Sequence, residues 1–412
     1  MSKQTIKNIL YVENGIGYGG AIICLRHLVR HLDRSRFNPV VVTGRTGTHY
    51  QEIAQEADWH FIADRHIDVI ALRNKLAQAA WIKRIPGLST LFNQLVARAD
   101  DAFNFLPFFL RLLWTAWRRK VDLIHANNEP LCNRAALLVG KLLRIPTVCH
   151  VRGDQNGSRL MRWTFSLPDH FISVSHWVAK SMQANAQVPV DKISVIYDGI
   201  ALEMLDLQAD GTEFRKQHQI PNDAFAVGLV GLLIPWKGQE LFLDAAKLLS
   251  NKIPGLKMII VGGTPDDCVA YEAKLRQQII DQQLQDIVSF TGHVAKMETV
   301  YNGLDVVVSA SISPEPLGTV VIESMAMGRP LIGPDHGGAA EMMAHNQTGL
   351  LFTPKDAVAL ANQIERFYQE PKLRTRLGQN ARDHALATFS IETHTNKIQA
   401  LYDSLLPGLQ QL

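Results

Sequence analysis

Ser311-Ile312-Ser313-Pro314-Glu315-Pro316-Leu317-Gly318-Thr319-Val320-Val321-Ile322-Glu323-Ser324-Met325-Ala326-Met327-Gly328-Arg329-Pro330 is the stretch from which the architecture can be read. It follows Leu304-Asp305-Val306-Val307-Val308, whose β-branched run predicts a buried strand. Two prolines break regular structure after that strand, and from about Leu317 the spacing turns helical. Gly328 suits a left-handed cap, and Pro330 cannot continue a helix. Glu315 is thereby placed in the loop ahead of the helix and Glu323 inside it. The first amides of the helix, around Gly318, Thr319 and Val320, favour an anion such as a phosphate. A carboxylate beside such a site accepts hydrogen bonds from neutral hydroxyls. A ligand carrying both phosphates and sugars fits the pair.

The same alternation of strand and helix extends in both directions. Apolar runs at Asn8–Val12, Pro39–Thr43, Asp122–Ala126, Pro146–His150, His170–Val174 and Ile193–Tyr197 alternate with helical patterns. A second series follows at Ala226–Val230, Leu256–Val261, Ile287–Phe290, Asp305–Val308 and Pro330–Gly333. Such alternation predicts parallel sheets built from β-α-β units. The fold class expected is α/β, with two doubly wound Rossmann-like domains facing a cleft, because ligands of open α/β sheets sit beyond the strands' carboxyl ends. The boundary is expected just after Asp198-Gly199-Ile200, giving domains 1–200 and 201–389.

Composition narrows the class of function. The chain has 412 residues, is 47% hydrophobic, and carries a net charge of +3, which gives no case for nucleic acid. Cys24, Cys132, Cys149 and Cys268 lack metal-ligand spacing and are expected as reduced thiols in a cytoplasmic protein. No signal peptide is expected at Met1–Lys7, and the apolar stretch Phe103 to Trp117 falls short of the roughly 20 residues that span a bilayer. Residues 65–120 interleave cations such as Arg73, Arg98, Arg111, Arg118, Arg119 and Lys120 with Trp81, Phe103, Phe105, Phe108, Phe109, Trp114 and Trp117. That mixture suits peripheral contact with an anionic membrane, or else a core helix with a solvated charged face.

Two further segments bear chemistry. After the first strand, Glu13-Asn14-Gly15-Ile16-Gly17-Tyr18-Gly19-Gly20-Ala21 lets backbone approach a ligand ahead of a helix, although the spacing does not fit a dinucleotide fingerprint. After the seventh run, Pro235-Trp236-Lys237-Gly238-Gln239 sets a lysine where its point charge can meet a diphosphate.

The string Glu315, seven residues, Glu323, embedded in E-P-L-G-T-V-V-I-E-S-M-A-M-G-R-P, resembles the signature of retaining nucleotide-sugar glycosyltransferases of glycosyltransferase family 4. The resemblance covers nearly the whole chain and implies the GT-B fold, with a last helix, about 390–412, returning to the first domain. It implies a hexosyltransferase that moves a sugar from a UDP- or GDP-linked donor to a glycan or lipid-linked acceptor in cell-surface polysaccharide or lipopolysaccharide synthesis. Anomeric retention, independence from metal and absence of a cofactor are implied with it, as is a location in the cytoplasm or on the cytoplasmic face of a membrane. No Asp-x-Asp motif occurs. By resemblance Glu315 orients the donor sugar, His150 contacts its hydroxyls, and Lys237 compensates the leaving diphosphate. Glu323 binds ribose, while Leu317, Gly318, Thr319, Gly19, Gly20, Gly262 and Val294 hold the donor largely through backbone. Arg152 and Asp154 are acceptor-side candidates. Family members commonly carry an arginine five residues before the lysine, where this chain has Leu232. That departure keeps open a catalytically idle nucleotide-sugar-binding subunit. A nucleotide-sugar epimerase of similar fold is the other alternative, against which the E-P-L-G string argues.

Overall fold

A computed structural model describes residues 6–14, 20–64, 88–155 and 157–406. The chain divides into two compact units. One holds residues up to Val174, Val178–Ile196 and those from Thr395 onward; the other holds Ser175–Trp177 and Tyr197–His394.

The N-terminal unit carries β1 (Lys7–Glu13), β2 (Phe37–Thr43), β3 (Asp58–Phe61), β4 (Leu123–Ala126), β5 (Thr147–Val151), β6 (His170–Ser173) and β7 (Ile193–Val195). They form one sheet in the order β3-β2-β1-β4-β5-β6-β7, and every pairing is parallel. The C-terminal unit carries β8 (Phe225–Val230), β9 (Leu256–Val261), β10 (Val288–Gly292), β11 (Val306–Val308), β12 (Leu331–Pro334) and β13 (Leu350–Phe352), in the parallel order β10-β9-β8-β11-β12-β13. Each is the doubly wound order in which the chain starts centrally, winds outward one way, then returns to the centre and winds the other. The order reverses between β1 and β4 in one sheet and between β8 and β11 in the other.

Strand residues alternate between two cores because side chains on a strand point to opposite faces. Val227 and Leu229 join the cluster that contains Phe242 and Leu275, whereas Ala226 and Val230 join that of Tyr301 and Met325. Ile9 and Tyr11 face the cluster of Leu28 and Tyr402, while Leu10 and Val12 face that of Phe108 and Leu112. Both faces of each sheet are covered, which is why the strands read as continuous apolar runs. Two edge strands escape that reading. β3 is Asp-Trp-His-Phe and only half-buried, and β13 is three residues long.

The helix Thr319–Ala326 starts two residues later than the sequence suggests, because Gly318 remains outside helical geometry as its cap. Its end is as expected: Gly328 is left-handed at φ 67°, and the Arg329 amide reaches back to the Ser324 carbonyl at 2.9 Å. None of the four cysteines is in a disulfide. Among the described residues no helix is long and apolar enough to cross a membrane.

Candidate active site

In the C-terminal unit two loops meet at the switch point. The loop after β8 turns through Pro235–Lys237 into the helix Gln239–Leu249, and the loop after β11 runs through Ser311 and Glu315 to the helix Thr319–Ala326. Gly238, left-handed at φ 76°, presses against the second loop so closely that a Cβ there would lie 2.0 Å from the Ala310 carbonyl oxygen. The Ile312 amide donates to the Trp236 carbonyl at 2.9 Å and locks the register between the loops. Lys237 and Glu315 are brought together in consequence, with Nζ 2.8 Å from Oε2. The ammonium also lies 4.6 Å from the Trp236 ring centroid, a cation–π contact.

Glu315 is fixed from two further directions. The Ser311 hydroxyl donates to its other carboxylate oxygen, and the Gly338 amide donates to its carbonyl at 2.7 Å. His336 Nε2 donates to the Ser311 carbonyl at 2.9 Å and so steadies the serine in turn. Gly337 admits this arrangement, since a Cβ on it would lie 2.8 Å from the Glu315 backbone nitrogen and oxygen. No side chain caps the start of the helix Thr319–Ala326, whose Val321 and Ile322 amides turn back to the Gly318 carbonyl at 2.9 and 3.2 Å. Leu317 is half-buried against the core cluster that includes Val321.

Glu323 sits one turn into that helix and accepts a hydrogen bond from the Tyr301 hydroxyl at 2.6 Å. Burial pushes its carboxyl above the usual carboxylate range; the Tyr301 hydroxyl opposes that shift and Glu298 adds to it. Gly262 and Val294 lie at the ends of neighbouring strands. At Gly262 a Cβ would lie 2.0 Å from the Gly231 carbonyl oxygen, and its amide bonds the Gly292 carbonyl at 3.1 Å. The Leu233 amide reaches the Gly263 carbonyl at 3.0 Å. The carboxyl ends of β8, β9 and β10 thus form a backbone-lined floor.

The N-terminal unit builds a different polar cluster at its own switch point. Glu13, ending β1, accepts from the side-chain amides of Asn127 and Asn128, just past β4. Asn127 passes its amide on to the Ala21 carbonyl at 3.0 Å, in the first turn of the helix Gly20–His31. Arg152 donates to the Asn127 side-chain oxygen at 3.0 Å and to His150 Nδ1 at 3.2 Å. A guanidinium has no acceptor, so Nδ1 must be the unprotonated nitrogen and the ring a neutral Nε2–H tautomer. His150, Asn127 and Glu13 are buried. Asp154 turns to the Ser181 hydroxyl and the Gln155 amide. Gly20 opens its helix, where an added Cβ would meet nothing within 4 Å; Gly19 lies outside the described residues, as do Arg73 and Trp81.

Ser311, His336, Tyr301, Glu13 and Asn127 were not singled out by the sequence. Ser311 lies four residues from Glu315 in the same loop, whereas His336, Tyr301, Glu13 and Asn127 each act on a residue distant along the chain, so only strand order could reveal those four.

Two family models match the chain: "Glycosyltransferase Family 4" over residues 18–204 and "Glycosyl transferases group 1" over residues 210–384. The chain belongs to glycosyltransferase family 4. Its relatives include the N-acetyl-alpha-D-glucosaminyl L-malate synthase of Bacillus anthracis, 22% identical over 76% of this chain and 84% of that protein. The lipopolysaccharide core mannosyltransferase LpcC of Rhizobium leguminosarum is 29% identical over 44% of this chain and 51% of its own length. Among solved structures, Anabaena HepE in complex with UDP superposes with a TM-score of 0.78 at 24% identity, covering 96% of this chain and 100% of that one. The fold is GT-B, and the protein is a glycosyltransferase.

Proposed function

We propose that this family 4 enzyme transfers a hexose, with retention and without a metal, from a nucleotide-diphosphate donor to a glycan or lipid-linked glycan in cell-surface polysaccharide synthesis. The observation that carries the reading is the Lys237–Glu315 pair set beside an uncapped helix start. The barrier in such a transfer comes from charge separation, an oxocarbenium-like sugar and a departing diphosphate. Lys237 and the amides at Gly318 and Thr319 stabilise the diphosphate, Glu315 orients the sugar, and Glu323 accepts from the ribose. His150 contacts the sugar's hydroxyls. The C1–O bond to phosphate breaks, the acceptor oxygen bonds C1 on the same face, and the acceptor proton passes to the leaving phosphate. Relatives named for lipopolysaccharide core and capsule synthesis support the acceptor class, and a UDP-bound structural neighbour puts uridine donors first for testing.

The test is thermal stabilisation by UDP-, GDP- and ADP-sugars with no metal added, since a ligand of the native state raises its stability by mass action. A shift for one nucleotide class that Lys237→Ala abolishes supports the reading; no shift with any donor opposes it. Leu232 favours a second reading, binding without turnover. A donor-dependent shift with no transfer to any acceptor selects that one.

A further inference from the structure

Parallel strands give the C-terminal sheet two distinct ends. The donor residues gather at its carboxyl end. At the amino end, Asp305 stands immediately before β11 and Arg329 two residues before β12. There a recess of about 420 Å³ is bordered by Gln208, Asp210, Thr212, Arg215, Asn302 and Arg329.

The two arginines differ in what they have left to donate. Arg215 ion-pairs with Asp305 at 2.7 Å and gives its other groups to the carbonyls of Gly303, Pro221, Asn222 and Ala224. Arg329 gives its Nε–H to the Met327 carbonyl at 3.2 Å, and its terminal N–H groups meet no acceptor among the described residues. Burial lowers its pKa below the ordinary arginine value, and Asp305, already paired with Arg215, opposes that only in part. Capping the preceding helix does not account for this side chain, because the Ala326 carbonyl is served by Arg382 and the Ser324 carbonyl by the Arg329 backbone amide at 2.9 Å. Asp210, the acid on the rim, is exposed to water, and its Oδ1 is committed to the Thr212 amide and hydroxyl at 2.8 and 2.6 Å.

The recess also touches both elements that hold Glu323. Arg329 follows the end of the helix Thr319–Ala326, in which Glu323 lies. Asn302 follows Tyr301, whose hydroxyl donates to the Glu323 carboxylate at 2.6 Å. Asn302 pins the rim as well, donating to the Leu207 and Ala209 carbonyls at 3.1 and 2.9 Å. A ligand that draws Arg329 and the rim together therefore acts on this helix, and on Tyr301, from the end away from the donor.

We propose that this recess is an effector site for a small hydroxylated oxyanion, a phosphate ester or a carboxylate, held by the fork of Arg329 and coupled to nucleotide binding through Tyr301 and the helix Thr319–Ala326. The planar guanidinium matches two oxygens of either anion. At roughly 30 Å³ per water, the recess has room for the anion and for the polar body that carries it. The coupling rests on the ribose role proposed above for Glu323; the anion site does not.

The test is calorimetric titration of inorganic phosphate, and separately of glucuronate, into the full chain with UDP saturating the donor site. The Lys237→Ala variant without nucleotide is the second background. Binding is expected in both, and the anion that binds more tightly decides between phosphate ester and carboxylate. Arg329→Gln is expected to weaken it by roughly 10- to 150-fold, the worth of a charge-assisted hydrogen bond. Gln208→Glu, which sets a like charge on the exposed rim without touching the core, is expected to weaken it on the order of threefold. Saturating anion is expected to change UDP affinity by roughly fivefold or more, with UDP changing anion affinity by the same factor. No binding of either anion, or binding that both Arg329→Gln and Gln208→Glu leave unchanged, overturns the site. Binding lost in Lys237→Ala assigns the anion to the donor site and overturns it too. A UDP affinity indifferent to saturating anion overturns the coupling. Anion binding that depends on Arg329 in a chain that binds no nucleotide supports the recess and overturns the donor reading instead.

Discussion

Replacing Glu315 by glutamine should tighten binding of the bare nucleoside diphosphate while slowing sugar transfer. Lys237 lies 2.8 Å from the Glu315 carboxylate, and the two side chains are only 17% and 11% exposed. At that burial water screens incompletely, and two unit charges 4 Å apart attract by about 4 kcal/mol at an effective dielectric of 20, most of it offset by desolvation. A diphosphate arriving at Lys237 must share that cation with a carboxylate of its own sign. Across roughly 7 Å, at an effective dielectric between 20 and 40, the repulsion is about 1–2 kcal/mol. Glutamine keeps the shape and removes the repulsion: its one acceptor oxygen can face Lys237 while its NH2 donates to the Ser311 hydroxyl. Affinity for the diphosphate should therefore rise by about 5- to 30-fold. Transfer should fall by roughly 10- to 150-fold, because a charge-assisted hydrogen bond to the sugar is worth about 1.5–3 kcal/mol. Calorimetric titration of UDP, GDP and ADP into both proteins reads the first effect, and initial rates with the nucleotide sugar read the second. An unchanged or weaker diphosphate affinity in Glu315→Gln would place the phosphate away from this pair and refute the argument.

Glu323 makes a prediction about pH. Its carboxyl is raised by burial, and ribose hydroxyls need the ionised form as acceptor, so nucleotide affinity should fall on acidification sooner than an ordinary carboxylate would dictate. Stability runs the other way. The folded state binds this proton more tightly than the unfolded state, so the contribution is favourable below the raised value and lost as pH rises through it. Tyr301→Phe removes the hydroxyl that opposes the shift and should move the affinity midpoint further up; an affinity flat across acidic to neutral pH in both proteins would separate Glu323 from the ribose. At Arg152, substitution by glutamine frees His150 to take the other tautomer. Turnover should drop by about tenfold, equivalent to about 1.4 kcal/mol, with donor KM nearly constant; a kcat within twofold of wild type would show that the tautomer does not matter.

Much of the fold is legible because parallel strands covered on both faces must be apolar throughout. Val306, Val307 and Val308 alternate between two cores, so no polar residue interrupts the run. The same rule hides β3. As an edge strand it is half-buried, and its sequence, Asp58 to Phe61, alternates too little over four residues to be seen. The helix Leu106–Arg118 inverts the rule instead. Its aromatics were equally consistent with a core, and only their exposure shows that Phe108 packs inside while Trp114 and Trp117 do not.

The site divides along the same line. Glu315, Glu323 and Lys237 are visible because each stands in a short local string, a loop beside a glycine or a helix start. What holds them is not. Tyr301 reaches Glu323 across 22 residues, and Glu13 reaches Asn127 across 114, because the reversal of strand order sets β1 against β4. Arg152 shows how the two levels combine. Its charge near a strand end suggests an acceptor contact, yet its partners Asn127 and His150 turn it inward. A guanidinium that can only donate then decides which nitrogen of the neighbouring imidazole carries the proton. His150 is thus addressed by a neighbour two residues on, whose own orientation depends on Asn127 in the loop after β4, far along the chain.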